Sequence, residues 1–498
     1  MKVSVGLVVV LAGILPFASA AATNITVSVS GADARKPEAL GRSSADTRRI
    51  QDAIDTVWKA GGGRVVVLPG VHHVGGIRLR SNVELHLASN AVLSASRDCA
   101  DFDVLSHDAL EPVDPSLIRE ARGFSVNAPR DRTKTAIWAT NCVTRWNNAI
   151  VRIVGATNVV VSGEAGSAID GNNSFDPDGE EHYRGVHGIS CFHSGNVAVR
   201  GVELRHTGNW ATRFAYSEDL EFENLTILGG HDGVHVRGCN RIRVRGCRLF
   251  TGDDCIAGYD NEDLSVSDCE LSTACNMLRL GGRDILIENC RGRGPSPYPF
   301  RGSLTGEQKR LGVWEKARLP NARYTTSTFF LYFCDWSQPV RKEPGNIVVR
   351  NCRVENVHRF LRYNYGGETW QHQRPLPSIL FENCRATGLL LPLAANAKGE
   401  GERFVMPFTL RLRDSSFAFA RPVDAFVECL RVEELDFTNV SVDGVPDLPA
   451  AVCWGKPPKL SFENVGGVKR EVLRRTGKYK CPARLGEAEA LSAWRNKE

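Results

Sequence analysis

Along most of this chain, apolar residues alternate with polar ones in short runs that stop on Gly, Asn or Asp. The runs are VVVSG to Gly163, VAVRG to Gly201, LEFEN to Asn224 and IRVRG to Gly246. LSVSD to Asp268, ILIEN to Asn289, IVVRN to Asn351 and ILFEN to Asn383 continue the series, which closes with LRLRD to Asp414, LDFTN to Asn439 and LSFEN to Asn464. Alternation with period two predicts strands. Gly, Asn and Asp tolerate left-handed backbone, so each run reads as a short strand entering a sharp turn. From Asn224 to Asn289 the spacings are 22, 22 and 21 residues, and the next, to Asn351, is 62. A strand-turn unit repeated at such a period predicts a solenoid, with a large insertion in the long gap. Leucine-rich repeats would need a Leu/Asn pattern that is absent, and a β-sandwich would need longer strands with hairpin turns. The predicted fold class is therefore all-β, a single-stranded right-handed parallel β-helix.

Ahead of the repeats, DTRRIQDAIDTVWKAGGG starts at Asp46, a suitable N-cap. Ile50, Ala53, Ile54 and Val57 fall at helical spacing and Gly61 to Gly63 stop the helix. Such a helix would cap the open end of the stacked strands. Two irregular stretches, about 101–148 and 293–345, read as long loop insertions. At the amino end, Lys2, an apolar run from Val3 to Phe17 and then Ala18-Ser19-Ala20 form a signal-peptide pattern with cleavage expected after Ala20. Residues 1–20 are thus assigned to the signal and 21–498 to one β-helix domain. Export is expected, secreted or periplasmic, with no membrane span, because no later apolar run approaches ~18 residues.

Composition narrows the partners. The net charge of +5 is spread along the chain, and no basic stretch alternates with aromatics, which argues against nucleic acid. Fifteen cysteines would suggest disulfides in an exported protein. Yet Cys247, Cys269, Cys290, Cys352 and Cys384 each follow a Gly, Asp or Asn in the same repeat context. That placement predicts a ladder of small buried thiols. No Cys/His grouping has zinc-site spacing, so neither a metal nor another cofactor is expected.

Chemistry concentrates between Gly229 and Gly258, GGHDGVHVRGCNRIRVRGCRLFTGDDCIAG. At a period of 22, Asp253 stacks between His231 and Cys275, and Asp254 between Asp232 and Asn276. Thr212/Phe214, Val234/Val236, Ile256/Gly258 and Leu278/Leu280 would then point inward, leaving Arg213, His235, Ala257 and Arg279 as an outward column. Strands in adjacent coils lie about 4.8 Å apart, so three carboxylates would share one exterior groove with two arginines and a histidine. Paired carboxylates suit glycoside hydrolysis, in which one protonated acid serves the leaving oxygen and another carboxylate activates water. Neighbouring negative charge keeps one acid protonated. Asp253 is assigned as that general acid, with Asp232 and Asp254 as the water-activating pair.

These residues resemble glycoside hydrolase family 28, the polygalacturonases. DTRRIQDAIDTVWKAGGGRVVVLPG with GGIRLRSNVELHL is similar to the family's amino-terminal signature, and AIDGNN to its IDGxG segment. GNWATRFAYSEDLEFENLTI, HDGVHV and GDDCIA are similar to its successive core coils. Its Asn-Thr-Asp-Gly motif maps to Gly230-His231-Asp232-Gly233 and its Gly-Asp-Asp motif to Gly252-Asp253-Asp254. The resemblance implies an inverting hydrolase of a pectin-type or related polysaccharide, with those roles. Three departures accompany it: Gly-His-Gly maps to Ala274-Cys275-Asn276, the uronate-gripping Arg-x-Lys has no match, and a Lys often found after Gly-Asp-Asp-Cys is Tyr259. Substrate contacts are expected from His231, His235, Arg279, Arg213, Tyr259 and Arg362, with Arg279 and Arg213 standing in for the lost cations. Arg359, Tyr363 and Tyr365 are placed along the same groove. In the 293–345 insertion the aromatics Tyr298, Phe300, Trp314, Tyr324, Tyr332 and Trp336 offer faces for sugar stacking or for packing of the loop on itself. Two insertions walling the groove would favour removal of terminal sugars. The alternatives are a polysaccharide lyase on the same fold, which would need calcium and an Arg or Lys base, and a non-catalytic carbohydrate-binding β-helix.

Overall fold

The structure, a computed structural model, describes residues 25–29, 45–102, 148–312, 318–333, 343–364, 375–397, 407–479, 482 and 484–495. The apolar amino-terminal segment, most of 101–148, and Trp314, Trp336 and Tyr365 lie outside the described residues.

The repeats build a parallel β-helix. Among the described residues thirty-five strands form one hydrogen-bonded network, and every strand pairing in it is parallel. Each full coil carries three strands, one more turn of the chain than the alternating runs alone indicate. The first-sheet strands are those runs, for example Glu218–Glu223 over Asn240–Arg245. After the turn comes a strand of three or four residues in a second sheet, such as Thr226–Leu228 under Arg248–Thr251. The third sheet follows, with Thr212–Ala215, Val234–Arg237 and the start of Ile256–Ser267 stacked in register.

The turn between the first and second sheets explains the repeat chemistry. Asn224, Gly246, Asp268, Asn289, Asn351 and Asn383 all have φ between 49° and 64°, the left-handed region. Asparagines at this corner also bond one another along the stack. Asn383 Nδ2 donates to Asn351 Oδ1 at 2.8 Å, and Asn464 Nδ2 to Asn439 Oδ1 at 2.9 Å. The residue after each turn faces the core, and there the cysteines form their ladder. Sγ of Cys247, Cys269, Cys290, Cys352 and Cys384 each donates to the carbonyl two residues earlier, at 3.2–3.5 Å. A small thiol fills this corner and its weak donor serves a carbonyl the turn leaves inside. All twelve described cysteines are free.

The cap forms as the sequence predicts, over Ala45–Lys59, with Ile50, Ala53, Ile54 and Val57 buried. Asp46 lies inside the first turn instead of capping it. Its buried carboxylate accepts from His73 N at 3.0 Å and so ties the helix to the first coils. The 293–345 excursion also needs correction, because Thr326–Tyr332 is a regular third-sheet strand, paired with Asn276, Leu278 and Arg279. The excursion is two insertions, one between the second and third sheets and one after Phe333. Among the described residues, no helix is long and apolar enough to cross a membrane.

Unfolding the protein in denaturant without reductant should expose at least twelve titratable thiols per chain. Markedly fewer would mean that the ladder is bridged.

Candidate active site

The acids sit where the second sheet turns into the third. His231 and Asp232 occupy that corner in one coil, Asp253 and Asp254 in the next, and Cys275 and Asn276 in the one after. Backbone bonds lock this order: Asp253 N donates to His231 O at 3.3 Å, Gly233 N to Asp254 O at 2.9 Å and Cys255 N to Asn276 O at 3.1 Å. Gly252 is required here by close approach. A Cβ on it would lie 2.4 Å from Pro299 O and 2.8 Å from Gly230 O. The insertion that begins near Pro295 therefore rests directly on the acid corner, and Ser296 Oγ donates to Thr251 O at 3.0 Å.

The outward column has the expected register, Arg213 beside His235, Ala257, Arg279, Leu331 and then Arg362. Its exposure differs from an open groove. Asp232 and Asp254 are each 2% exposed, His235 is 2% and Arg213 3%, while Asp253, Cys275 and Arg279 are half-buried. The site is a layered pocket with Asp253, Cys275 and Arg279 at its surface.

Beneath them, Asp254 Oδ2 pairs with Arg279 Nε at 2.5 Å, and its Oδ1 accepts from Asn276 N at 3.1 Å and Asn276 Nδ2 at 2.8 Å. Two amide donors and a cation thus converge on this one carboxylate. Asp232 Oδ2 accepts from His235 Nδ1 at 2.8 Å and lies 3.9 Å from Arg279. Burial, then the charges of Asp253 and Asp254, push Asp232 well above the usual carboxylate range. Burial and then Asp254 push Asp253 up to about 6. The Cys275 thiol donates to Asp253, and burial with the two aspartates keeps that thiol protonated. Burial also holds His231 and His235 neutral.

Several expected substrate contacts stand behind the surface. His235 stacks on Trp210 at 3.7 Å between ring centres, and the Arg213 guanidinium lies 5.1 Å from the Phe192 ring and 5.6 Å from Trp210. Both therefore position the pocket floor rather than offering a free face, as burial of their polar ends under aromatic rings requires. His231, 1% exposed, stacks on Tyr183 at 5.6 Å. Tyr259 is buried edge-on to Phe333 at 5.1 Å, and Arg279 covers the other approach to Phe333 at 4.5 Å. Arg362 is 8% exposed, two coils beyond Arg279. Arg359 and Tyr363 leave the groove altogether. Arg359 is fully buried against Glu428 at 2.9 Å, and Tyr363 stacks on Phe408 at 3.9 Å in the core. Tyr332 joins Tyr363 there, whereas Tyr298 and Tyr324 pack with Leu304 inside the insertion.

Cations reach the pocket from segments that carry no repeat. Phe175 bridges Arg184 in a short antiparallel excursion, which brings Arg184 close enough to oppose the upward pKa shift of Asp232 and Asp253. From the insertion, Lys309 sits 3.8 Å over Tyr183, and Arg301 donates to Thr207 O at 2.8 Å and Asn173 Oδ1 at 3.0 Å. Arg323 Nε donates to Ala274 O at 3.0 Å. No sequence signal marked these residues, because their loops have no period to align. Asp253, Asp254 and Cys275 are the one grouping among the described residues with metal-ligand spacing, within 4.8 Å of one another. Arg279 and Asn276 already occupy Asp254, and the thiol is protonated, so the grouping fits an ion poorly.

The comparisons agree with this geometry. The family model for a right-handed β-helix region matches residues 187–293, the coils that hold the acids. A probable polygalacturonase from Vitis vinifera is 26% identical over 43% of this chain and 42% of its own length. A probable endopolygalacturonase C from Aspergillus niger is 23% identical over 28% of this chain and 40% of its own. The central coils of this chain are similar in sequence to those of polygalacturonases. The matched region spans less than half the length of those curated relatives. Two solved structures share the fold: an exopolygalacturonase from Thermotoga maritima, with TM-score 0.51 and 16% identity over 80% of this chain and 88% of that one, and a family 28 exopolygalacturonase from Yersinia enterocolitica, with 0.53 and 13% over 90% and 79%.

Replacing Arg279 by Met removes the cation that favours the ionised acids. The Asp253 carboxyl, which titrates at about 6, should then move up, by about one unit or more. Infrared titration of the carboxyl band, assigned with Asp253→Asn, reads the shift; an unmoved midpoint would contradict the pairing.

Proposed function

We propose that this protein is an exported glycoside hydrolase that cleaves a pectin-type or related polysaccharide by inversion. The observation that carries the reading is the division of labour within the acid stack. Asp254 is paired with Arg279 and accepts two hydrogen bonds from Asn276, while Asp253, at the pocket surface, holds its proton up to about pH 6. In the step so arranged, Asp253 gives its proton to the leaving glycosidic oxygen as the bond to the anomeric carbon breaks. Water attacks that carbon from the opposite face and passes its proton to the Asp254/Asp232 pair. The low-exposure floor of Asp232, His235 and Trp210 limits competing water. The similarity to named polygalacturonases supports a pectic substrate, and the apolar segment from Val3 to Phe17 supports export.

Terminal cleavage is favoured by the walls. The Tyr183–Arg184 excursion and the insertion bearing Lys309 close over the His231 side, which suits a chain end better than a continuous strand. A non-catalytic carbohydrate-binding reading has one observation in its favour, Cys275 where the polygalacturonases carry histidine.

Asp253→Asn separates these readings. On a panel of pectic oligosaccharides it should lower kcat by about 10²–10⁴-fold with the fold intact, and unchanged turnover would remove Asp253 from the chemistry. Since the acid works protonated, wild-type kcat/KM should fall as pH rises through about 6. A rate that instead climbs through that range would contradict the assignment.

A further inference from the structure

The carboxyl-terminal tail returns from the far end of the solenoid to the acid corner, and it is pinned on both sides of Arg484. Pro482 O accepts from Arg359 Nε at 3.2 Å and Nη2 at 3.1 Å, and Leu485 N donates to His358 Nδ1 at 2.8 Å. Glu487 Oε1 then accepts from Tyr324 N at 2.8 Å, and its Oε2 from Thr325 Oγ1 at 2.6 Å. Those two residues lead straight into the strand whose Ser327 N donates to Cys275 O at 2.7 Å. The helix Glu487–Arg495 completes the anchor, with Trp494 Nε1 donating to Gly388 O at 2.7 Å.

What this anchoring presents is a guanidinium without a partner among the described residues. Arg484 makes no hydrogen bond or ion pair among the described residues, and its Nη1 is closed to solvent and unsatisfied. Leaving such a donor unmade is costly, more so when it is charged. Arg323, Cys275 and Glu487 are close enough to act on it electrostatically. Glu487 cannot serve it, because its oxygens already take the donors of Tyr324 and Thr325. Arg323 repeats the pattern. Its guanidinium lies 3.5 Å over Phe300, and among the described residues only Nε is engaged, on Ala274 O. Burial, and then the charge of Arg323, brings Arg484 down to about 10. Two preorganised forks with free donors match a planar or tetrahedral oxyanion.

We infer that Arg323 and Arg484 together grip an anionic group, carboxylate or sulfate, on the sugar bound beside Asp253 and Cys275, so that the carboxyl-terminal tail is part of the active site. The inference rests on the hydrolase reading for its sugar and deepens it. The pair comes from a loop and a tail, neither of which carries the Arg-x-Lys motif of the polygalacturonases.

The test measures binding in the full-length Asp253→Asn protein, so that cleavage is not needed for a readout. Calorimetry with a galacturonate trisaccharide, its methyl ester and an O-sulfated galactose trisaccharide compares that background with Arg484→Met and Arg484→Lys added. Arg484→Met should weaken the acidic ligand by about tenfold or more, leave the methyl ester unchanged, and be partly repaired by Arg484→Lys. A matching loss for the sulfated sugar alone assigns the sulfate, and for the uronate alone the carboxylate. Thermal melting should not fall in Arg484→Met, since the side chain holds no partner among the described residues. Equal loss for charged and methyl-esterified ligands, or no loss for any, overturns the pair. If the wild type cleaves none of these sugars while Arg484→Met still loses the acidic one, the hydrolase reading fails and this inference stands.

Discussion

The site depends on one counterion. Arg279 meets Asp254 at 2.5 Å and approaches Asp232 at 3.9 Å, and without it three carboxylates would share a nearly dry pocket. Packing like charges into low dielectric is unfavourable unless one is paired and the others take up protons. The structure does both. Asp254 takes the counterion, while burial and neighbouring charge push Asp253 and Asp232 towards the neutral form, the asymmetry that the proposed acid–base chemistry needs.

Coil register delivers the counterion. Arg279 lies one coil beyond Ala257 and two beyond His235, in a column set only by parallel hydrogen bonding. Each coil contributes one or two side chains to the corner, so the constellation is assembled from residues far apart in sequence. The left-handed turn residues and the thiols behind them keep the coils in step, and a slip of one residue would turn the column inward.

Much of this was legible in the sequence, and the reason is periodicity. Asn224, Gly246, Asp268 and Asn289 announce the first-sheet corner, and counting from them places Asp232, Asp254 and Asn276 in one stack, as the hydrogen bonds do. The second-sheet strands were not legible, since three or four residues are too short to alternate. Burial was misjudged for a related reason. Arg213 and His235 do face outward from the coil, but Trp210 and Phe192 cover them, and no period in the sequence records what a neighbouring corner lays on top. The cations of the walls were invisible altogether. Arg184, Lys309, Arg323 and Arg484 come from excursions and from the tail, whose contacts are fixed by tertiary packing alone. Positive charge thus reaches the acid corner from segments outside the repeat.

The most direct measurement follows the first product formed from an α-linked galacturonate oligosaccharide by proton NMR. Inverting hydrolysis by the acid stack predicts that the β-anomer appears first and mutarotates to the equilibrium mixture. An α-anomer appearing first, an unsaturated product, or a substrate left uncleaved across pectic oligosaccharides would contradict it.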